Sequence, residues 1–248
     1  MTDNTKRFSD RVEDYIKFRP NYPESLVSTL EQVIGLDHSK TIADIGSGTG
    51  ISSLPFLRRG YTVTGVEPNK EMREAAERLL FIFPNFRSVN GSAEKTNLSD
   101  HSVDVIFCGQ SFHWFHTEKA KTEFSRILAR SGNIVLVWNE RSMKSEFQIA
   151  YDQILNQYID QYKFVNHRNV QDNLIAQFFS PKILNKASLE NTQILSFDGL
   201  VGRLRSSSYC PKSGKQYDSL LREIAILFDK YKNEDTIVFQ YETKIYWC

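Results

Sequence analysis

The chain has 248 residues, 31 of them basic and 30 acidic, for a formal net charge of +1. That length suits one domain with a sizeable core, and the near-neutral balance supplies no field to attract nucleic acid or an anionic membrane, which leaves a small molecule as the expected partner. Cys108, Cys210 and Cys248 are odd in number, far apart and without a CxxC pair, so neither a disulfide framework nor a zinc site is indicated and a reduced, cytoplasmic setting is expected.

The first 25 residues hold no apolar run of the kind a secretory signal requires, and no stretch reaches the ~18 consecutive apolar residues that span a bilayer. Tyr15, Arg19, Pro20, Asn21 and Tyr22 mix rigid aromatics with a cation, which suits either a surface helix with a Pro-fixed turn or a lid over a site. From residue 41 to 138, short apolar runs alternate with amphipathic ones, the pattern of βαβ units and a parallel sheet. Strands are predicted over 41–45, 61–66, 86–89, 103–108 and 133–138. Helices are predicted over 49–59, 69–81 and 117–129. Asn69 is placed to cap the second helix, and Pro55 predicts a kink or a late start in the first. In the third, Ala120, Phe124, Ile127 and Leu128 share a face, with Ser131-Gly132 as the stop. A helix over about 145–162 follows, then an inserted cap over 163–190 and strand-like runs at 192–197 and 236–247. The final run has no helical crossover after it and most easily enters the sheet antiparallel. The expected organisation is a lid over 1–35, a cofactor-binding core over 36–140, and a cap with completion of the sheet over 141–248.

The stretch TIADIGSGTG, residues 41–50, carries three glycines in five positions behind an aspartate. A strand that turns through such a loop into a helix puts free backbone N–H groups at the carboxyl edge of a parallel sheet, where nucleotide-like ligands bind. Glu67 lies 21 residues after Gly46, at the end of the second strand, and a carboxylate there accepts hydrogen bonds from both hydroxyls of a ribose. The two features together point to adenosine. The dinucleotide spacing G-x-G-x-x-G is broken, because Gly50 comes one residue early and Ile51 holds the third glycine's slot. Asp44 adds a negative charge before the loop, which favours a cationic ligand over a pyrophosphate.

With ADIGSGTG, TGVEPNKEM, GSAEKTNLSDHSVDVIFCGQSFHW and GNIVLVWN in this order, residues 41–138 resemble the class I S-adenosylmethionine-dependent methyltransferases. NYPESL, GQSFHWF and RLRSSSYCP look more narrowly like the small-molecule branch that includes the trans-aconitate methyltransferases. The resemblance implies a Rossmann-like α/β fold with a mostly parallel seven-stranded sheet, an antiparallel final strand and a small helical cap. It implies S-adenosylmethionine as cofactor, with Asp44, Gly46, Gly48 and Gly50 around the methionine part, Glu67 on the ribose, and Pro68, Ala93 and Glu94 against the adenine. Gln110 and Ser111 would lie near the sulfonium. It also favours the lid reading of Tyr15, Arg19 and Tyr22.

His113 is a candidate general base beyond the fourth strand, although packing over the cofactor for shape is the favoured reading. His113 and His116 lack a third ligand, so no metal is expected. Trp114 and Phe115 suit a wall that excludes water. Arg203 and Arg205, near Tyr209, either clamp a substrate carboxylate or are merely solvated, and the solvated reading is preferred. The expected reaction is methyl transfer to a small-molecule acceptor, a carboxylate among the options. Its rivals are a non-catalytic protein that binds the same cofactor and an NAD-dependent oxidoreductase. Nucleic-acid methylation is disfavoured, because there is no Asp/Asn-Pro-Pro-Tyr/Phe segment and no basic stripe with interleaved aromatics. Gly48→Val is expected to abolish binding by crowding the loop.

Overall fold

The computed structural model describes residues 12–163 and 172–248. Two helices, α1 (Val12–Phe18) and α2 (Ser25–Ile34), lead into β1 (Thr41–Ile45), α3 (Leu54–Arg58), β2 (Thr62–Val66), α4 (Lys70–Leu80) and β3 (Phe86–Val89). Next come β4 (Val103–Gly109), α5 (Thr117–Ile127), β5 (Leu128–Arg141), α6 (Glu146–Tyr158) and α7 (Asp172–Phe179). The chain closes with β6 (Asn185–Leu195), α8 (Phe197–Arg205), α9 (Lys215–Tyr231) and β7 (Ile237–Trp247). The strands form one sheet in the order β3-β2-β1-β4-β5-β7-β6. The first five are parallel, and β7 runs antiparallel to both β5 and β6. This is the Rossmann-like, mostly parallel seven-stranded arrangement expected from the sequence, with the final strand antiparallel. The strand order reverses between β1 and β4, so the loops leaving these two neighbours diverge and open a crevice at the carboxyl edge.

Strand alternation sorts the core into two layers. Ile42 of β1 joins Val105, Phe107, Val135 and Val137 under α2 and α3, while Ala43 and Ile45 face the layer containing Phe124, Phe178 and Trp138. A third apolar cluster lies beyond the sheet's carboxyl edge, where Leu195, Ile237, Phe239 and Tyr241 of β6 and β7 pack with Phe147, Leu155, Leu204 and Ile224 from α6, α8 and α9. The cap is therefore carried on strand ends that outrun their parallel neighbours.

Local rules account for several boundaries. The Asn69 side chain accepts from the Met72 N–H at 2.9 Å and starts α4. Pro55 sits in the first turn of α3, where its missing N–H would have no intrahelical partner, so the helix starts late instead of kinking. Ser131-Gly132 is not a helix stop. α5 ends at Ile127 and the chain enters β5 directly, with a register irregularity against Val103 and Val105. A Cβ on Gly132 would lie 2.8 Å from the Asp104 carbonyl oxygen, so the irregularity needs glycine for close backbone approach.

The expected insert over 163–190 is also corrected. Residues 164–171 of that span, like residues 1–11 of the expected lid, lie outside the described residues. Of the rest, 172–179 form α7 and 185–190 belong to β6. β6 is an edge strand that is mostly polar and at least half-exposed, so it carries little apolar alternation to read. The strand-like run expected over 192–197 extends back to Asn185, and Phe197 opens α8 behind a Ser196 cap rather than closing a strand.

Candidate functional site

Residues from the loops after β1, β2, β3 and β4 line one cavity with the chain after α1 and the cap. In the β1–α3 loop, Gly46, Gly48 and Gly50 have φ of 71°, 55° and 83°, values that favour glycine. Their tasks differ. A Cβ on Gly46 would lie 2.6 Å from the Ser111 Cβ, and one on Gly50 would lie 2.5 Å from a Leu80 methyl. At Gly48, a cavity-lining residue, an added Cβ meets nothing within 4 Å. Crowding by the protein therefore cannot be what makes Gly48→Val harmful. Its φ, and the cavity space its side chain would take, are the relevant reasons.

The loop's donors are not free either. Gly46 N–H and Ser47 N–H donate to the Val66 carbonyl at 2.8 and 3.3 Å, Gly50 N–H to the Ser47 carbonyl at 2.9 Å, and Gly48 N–H to Glu67 Oε2 at 3.0 Å. An anion-binding glycine loop presents N–H groups to its ligand, whereas here these donors are already bonded inside the protein. The same wall holds carboxylates, so its chemistry favours a cation.

Glu67 lines the cavity and is 9% exposed. Its second oxygen accepts from the Asn69 N–H at 2.9 Å, so one carboxylate ties the glycine loop to the start of α4 while keeping lone pairs for a ligand. Burial raises its pKa. Asp44 corrects a sequence expectation, since it does not line the cavity. It shares strand parity with Ile42, and its Oδ2 accepts from the Ser52 and Ser53 hydroxyls at 2.6 Å each. Its Oδ1 is buried with no partner among the described residues, and burial pushes the carboxyl up to about 6. Asp44 acts from behind the loop, as a buried acid without a countercharge. Gly50 is likewise behind the wall, against α4.

The remaining expected cofactor residues, Pro68, Ala93, Glu94, Gln110 and Ser111, all line the cavity. Glu94 Oε1 accepts from the His116 N–H at 2.8 Å and joins the loops after β3 and β4. Ser111 donates to the Ile45 carbonyl at 2.7 Å. Gln110 has φ 57°, a left-handed backbone that a non-glycine residue adopts at some cost, fixed by its N–H on the Val137 carbonyl. His113 and Trp114 lie on the same wall. The Trp138 indole N–H points at His113 Nδ1 at 3.4 Å, and because an indole N–H only donates, that nitrogen is the acceptor in this contact. Among the described residues no group of three or more His, Cys, Asp or Glu is placed to hold a metal ion.

Residues 43–136 match the family model described as a methyltransferase domain. Over this stretch the chain is similar to methyltransferase domains. An uncharacterized methyltransferase of Schizosaccharomyces pombe is 32% identical over 137 residues, 55% of this chain and 53% of its own length. An uncharacterized methyltransferase of Mycobacterium tuberculosis is 27% identical over 86% of this chain and 82% of its own. Similarity to the fission-yeast relatives thus spans only about half to three-fifths of their length. A solved structure from Anaeromyxobacter dehalogenans, provisionally described as a type II methyltransferase, superposes with a TM-score of 0.71 at 20% identity, covering 93% of this chain and 97% of that one. That likeness establishes the fold. S-adenosylmethionine is the cofactor that the resemblance of residues 41–138 implies. The site fits it on three counts: open space above Gly48, loop donors already bonded, and buried acids that a sulfonium or ammonium group would stabilise.

The rest of the cavity wall was least legible in the sequence. Tyr15, Arg19 and Tyr22 belong to it, as do Arg203 and Tyr209. Arg203 is 8% exposed, so the solvated reading of that residue is overturned. Arg205 lies elsewhere and donates to the Tyr217 hydroxyl at 2.6 Å. Sequence reasoning missed Arg141 and Tyr162, whose approach depends on where β5 and the segment after α6 end. It also missed the docking of the N-terminal segment. Asn139 and Asn191 donate to the Asn21 carbonyl at 3.2 and 2.7 Å, Gln193 donates to the Phe18 carbonyl at 3.0 Å, and Arg19 donates to the Ser206 carbonyl at 2.9 Å. The one available signal was a set of amides on strand ends.

Proposed function

We propose that the whole protein is an active methyltransferase that acts on a small-molecule acceptor, the methionine part of the cofactor lying along Gly46 and Gly48 and its ribose on Glu67. Pro68, Ala93 and Glu94 hold the adenine, and Gln110 and Ser111 border the sulfonium. Asp44 contributes charge from behind the loop, and Gly50 contributes only the close packing that shapes it. The single observation that carries this reading is the glycine loop whose donors are bonded internally while an acid with no countercharge among the described residues is buried beneath it. A dinucleotide pyrophosphate would find neither donors nor positive charge there.

S-adenosylmethionine supplies a methyl group on sulfur that an acceptor lone pair displaces in line, the C–S bond breaking to leave the neutral thioether. The chain's contribution is alignment and exclusion of water. The N-terminal segment, clamped by Asn139, Asn191 and Gln193, covers the cavity, and Trp114 closes its side. His113, with its Nδ1 directed at an indole, serves as wall. A carboxylate acceptor is ionised at neutral pH and needs no base. Calorimetric titration with S-adenosylhomocysteine tests the cofactor site, and methyl transfer to a panel of small acids, alcohols and amines tests catalysis. Absence of binding defeats the proposal. Binding without turnover on any acceptor returns the non-catalytic reading.

A further inference from the structure

Three guanidinium groups line the cavity around Tyr209. They come from Arg19 after α1, Arg141 at the end of β5 and Arg203 in α8. Arg141 is paired, with Asp152 Oδ1 accepting from its Nη2 at 3.1 Å. Arg19 and Arg203 have no carboxylate within ion-pair distance among the described residues. Arg203 donates to the Tyr241 and Ser207 hydroxyls at 3.3 and 3.2 Å. Arg19 donates to the Ser206 carbonyl and lies over the Tyr15 ring at 4.9 Å, while its Nε is buried with no partner among the described residues. Phenols and carbonyls satisfy donors but do not neutralise charge. Burial, and then the charge of Arg203, hold Arg19 below its ordinary pKa. The Tyr209 phenol lies below its ordinary value although burial works to raise it, because Arg141, Arg203, a Ser207 hydrogen bond and Arg19 together act against burial. Buried charges in proteins are ordinarily paired, and a surplus of guanidinium groups facing a cavity is the arrangement that receives an oxyanion in bidentate fashion.

We propose that Arg19 and Arg203, backed by Arg141, form an anion subsite that binds an oxyanion group of the methyl acceptor, a carboxylate or a phosphate ester. The inference rests on the proposed methyltransferase function and names the acceptor's chemistry. Because Arg19 belongs to the N-terminal segment and Arg203 to the cap, the bound anion also joins the two elements that cover the cavity, so an anionic acceptor completes the enclosure it reacts in.

The test is thermal unfolding of the full chain with S-adenosylhomocysteine present, in about 20 mM succinate, inorganic phosphate or chloride at matched ionic strength. Succinate or phosphate should raise the melting temperature by about 3–5 °C over chloride, and the larger shift tells which oxyanion the site takes. Arg203→Met and Arg19→Met should each remove that shift. Either should melt no lower than the wild type in chloride, because an unneutralised cation has been deleted. Arg203→Lys, which keeps the charge without the fork, should retain part of the shift. Equal melting in all three salts, or a shift that survives in both methionine variants, overturns the subsite. Calorimetry on the same preparations separates the two proposals. Cofactor binding without an anion shift defeats only the subsite, and an anion shift without cofactor binding defeats only the methyltransferase reading.

Discussion

Part of the cavity wall is backbone and carboxylates from residues 46–94, whereas another part is guanidinium and phenol groups of Arg19, Arg141, Tyr162, Arg203 and Tyr209. The first wall is made of consecutive turns at one sheet edge and holds buried acids whose pKa values are raised by burial. The second is assembled from the N-terminal segment, one strand end and the cap, and holds surplus positive charge. A cation and an anion bound at the two walls would each supply the countercharge its wall lacks. Selectivity for the pair therefore follows from burial at both walls, with no need for a strong field over the whole surface of a nearly neutral molecule.

The sharpest way to break this contrast is to alter one wall and titrate the other. Glu67→Ala removes a charged acceptor and slackens Gly48, so affinity for S-adenosylhomocysteine should fall roughly 10- to 100-fold by calorimetry. Arg203→Met, in the other wall, should change the same affinity by less than about twofold. Comparable losses in both variants would mean that the walls do not act separately.

A second test stays within the glycine loop. Gly50→Ala drives a methyl group into Leu80 at a positive φ and should destabilise the fold by roughly 2–3 kcal/mol, read from urea unfolding. Gly48→Ala has open space and should cost about 1 kcal/mol, its main effect appearing as weaker cofactor binding. If Gly48→Ala proves the less stable of the two, the division between a packed and a ligand-facing glycine is wrong.

The third concerns Asp44. Its folded pKa, about 6, lies above the ordinary value. Its contribution to stability is thus fully present below about pH 3.9 and is lost as pH rises through about 6. Asp44→Asn should flatten that part of the stability profile of the ligand-free protein. A cationic ligand prefers the ionised acid, so cofactor affinity should strengthen over the same window in the wild type and not in Asp44→Asn. The smallest effect is expected at His113. His113→Ala should lower the rate less than tenfold, and a fall beyond ~10⁴-fold would make it an essential base.

Much of the cofactor wall could be read from the chain, because its determinants are local. The Asn69 cap, the three glycines and the acid after β2 each impose a backbone conformation or a charge on their immediate neighbours, and their spacing sets the sheet edge. Asp44 was misplaced although its parity with Ile42 was available, since a residue two positions along a strand faces the same layer. The Ser131-Gly132 pair was misread because a glycine required by approach to the Asp104 carbonyl looks the same in sequence as one that ends a helix.

By itself the sequence determined the parallel core, the glycine loop at its carboxyl edge and the charge around that loop, all through patterns within a few residues. Tertiary structure alone decided the acceptor wall. Arg19, Arg141 and Arg203 lie more than 60 residues from one another, and they converge only because β5, β6 and β7 outrun the sheet and carry a capping cluster that traps them out of water. Whether a charged side chain is solvated or buried depends on what packs over it, and that information lies in no local stretch of the chain.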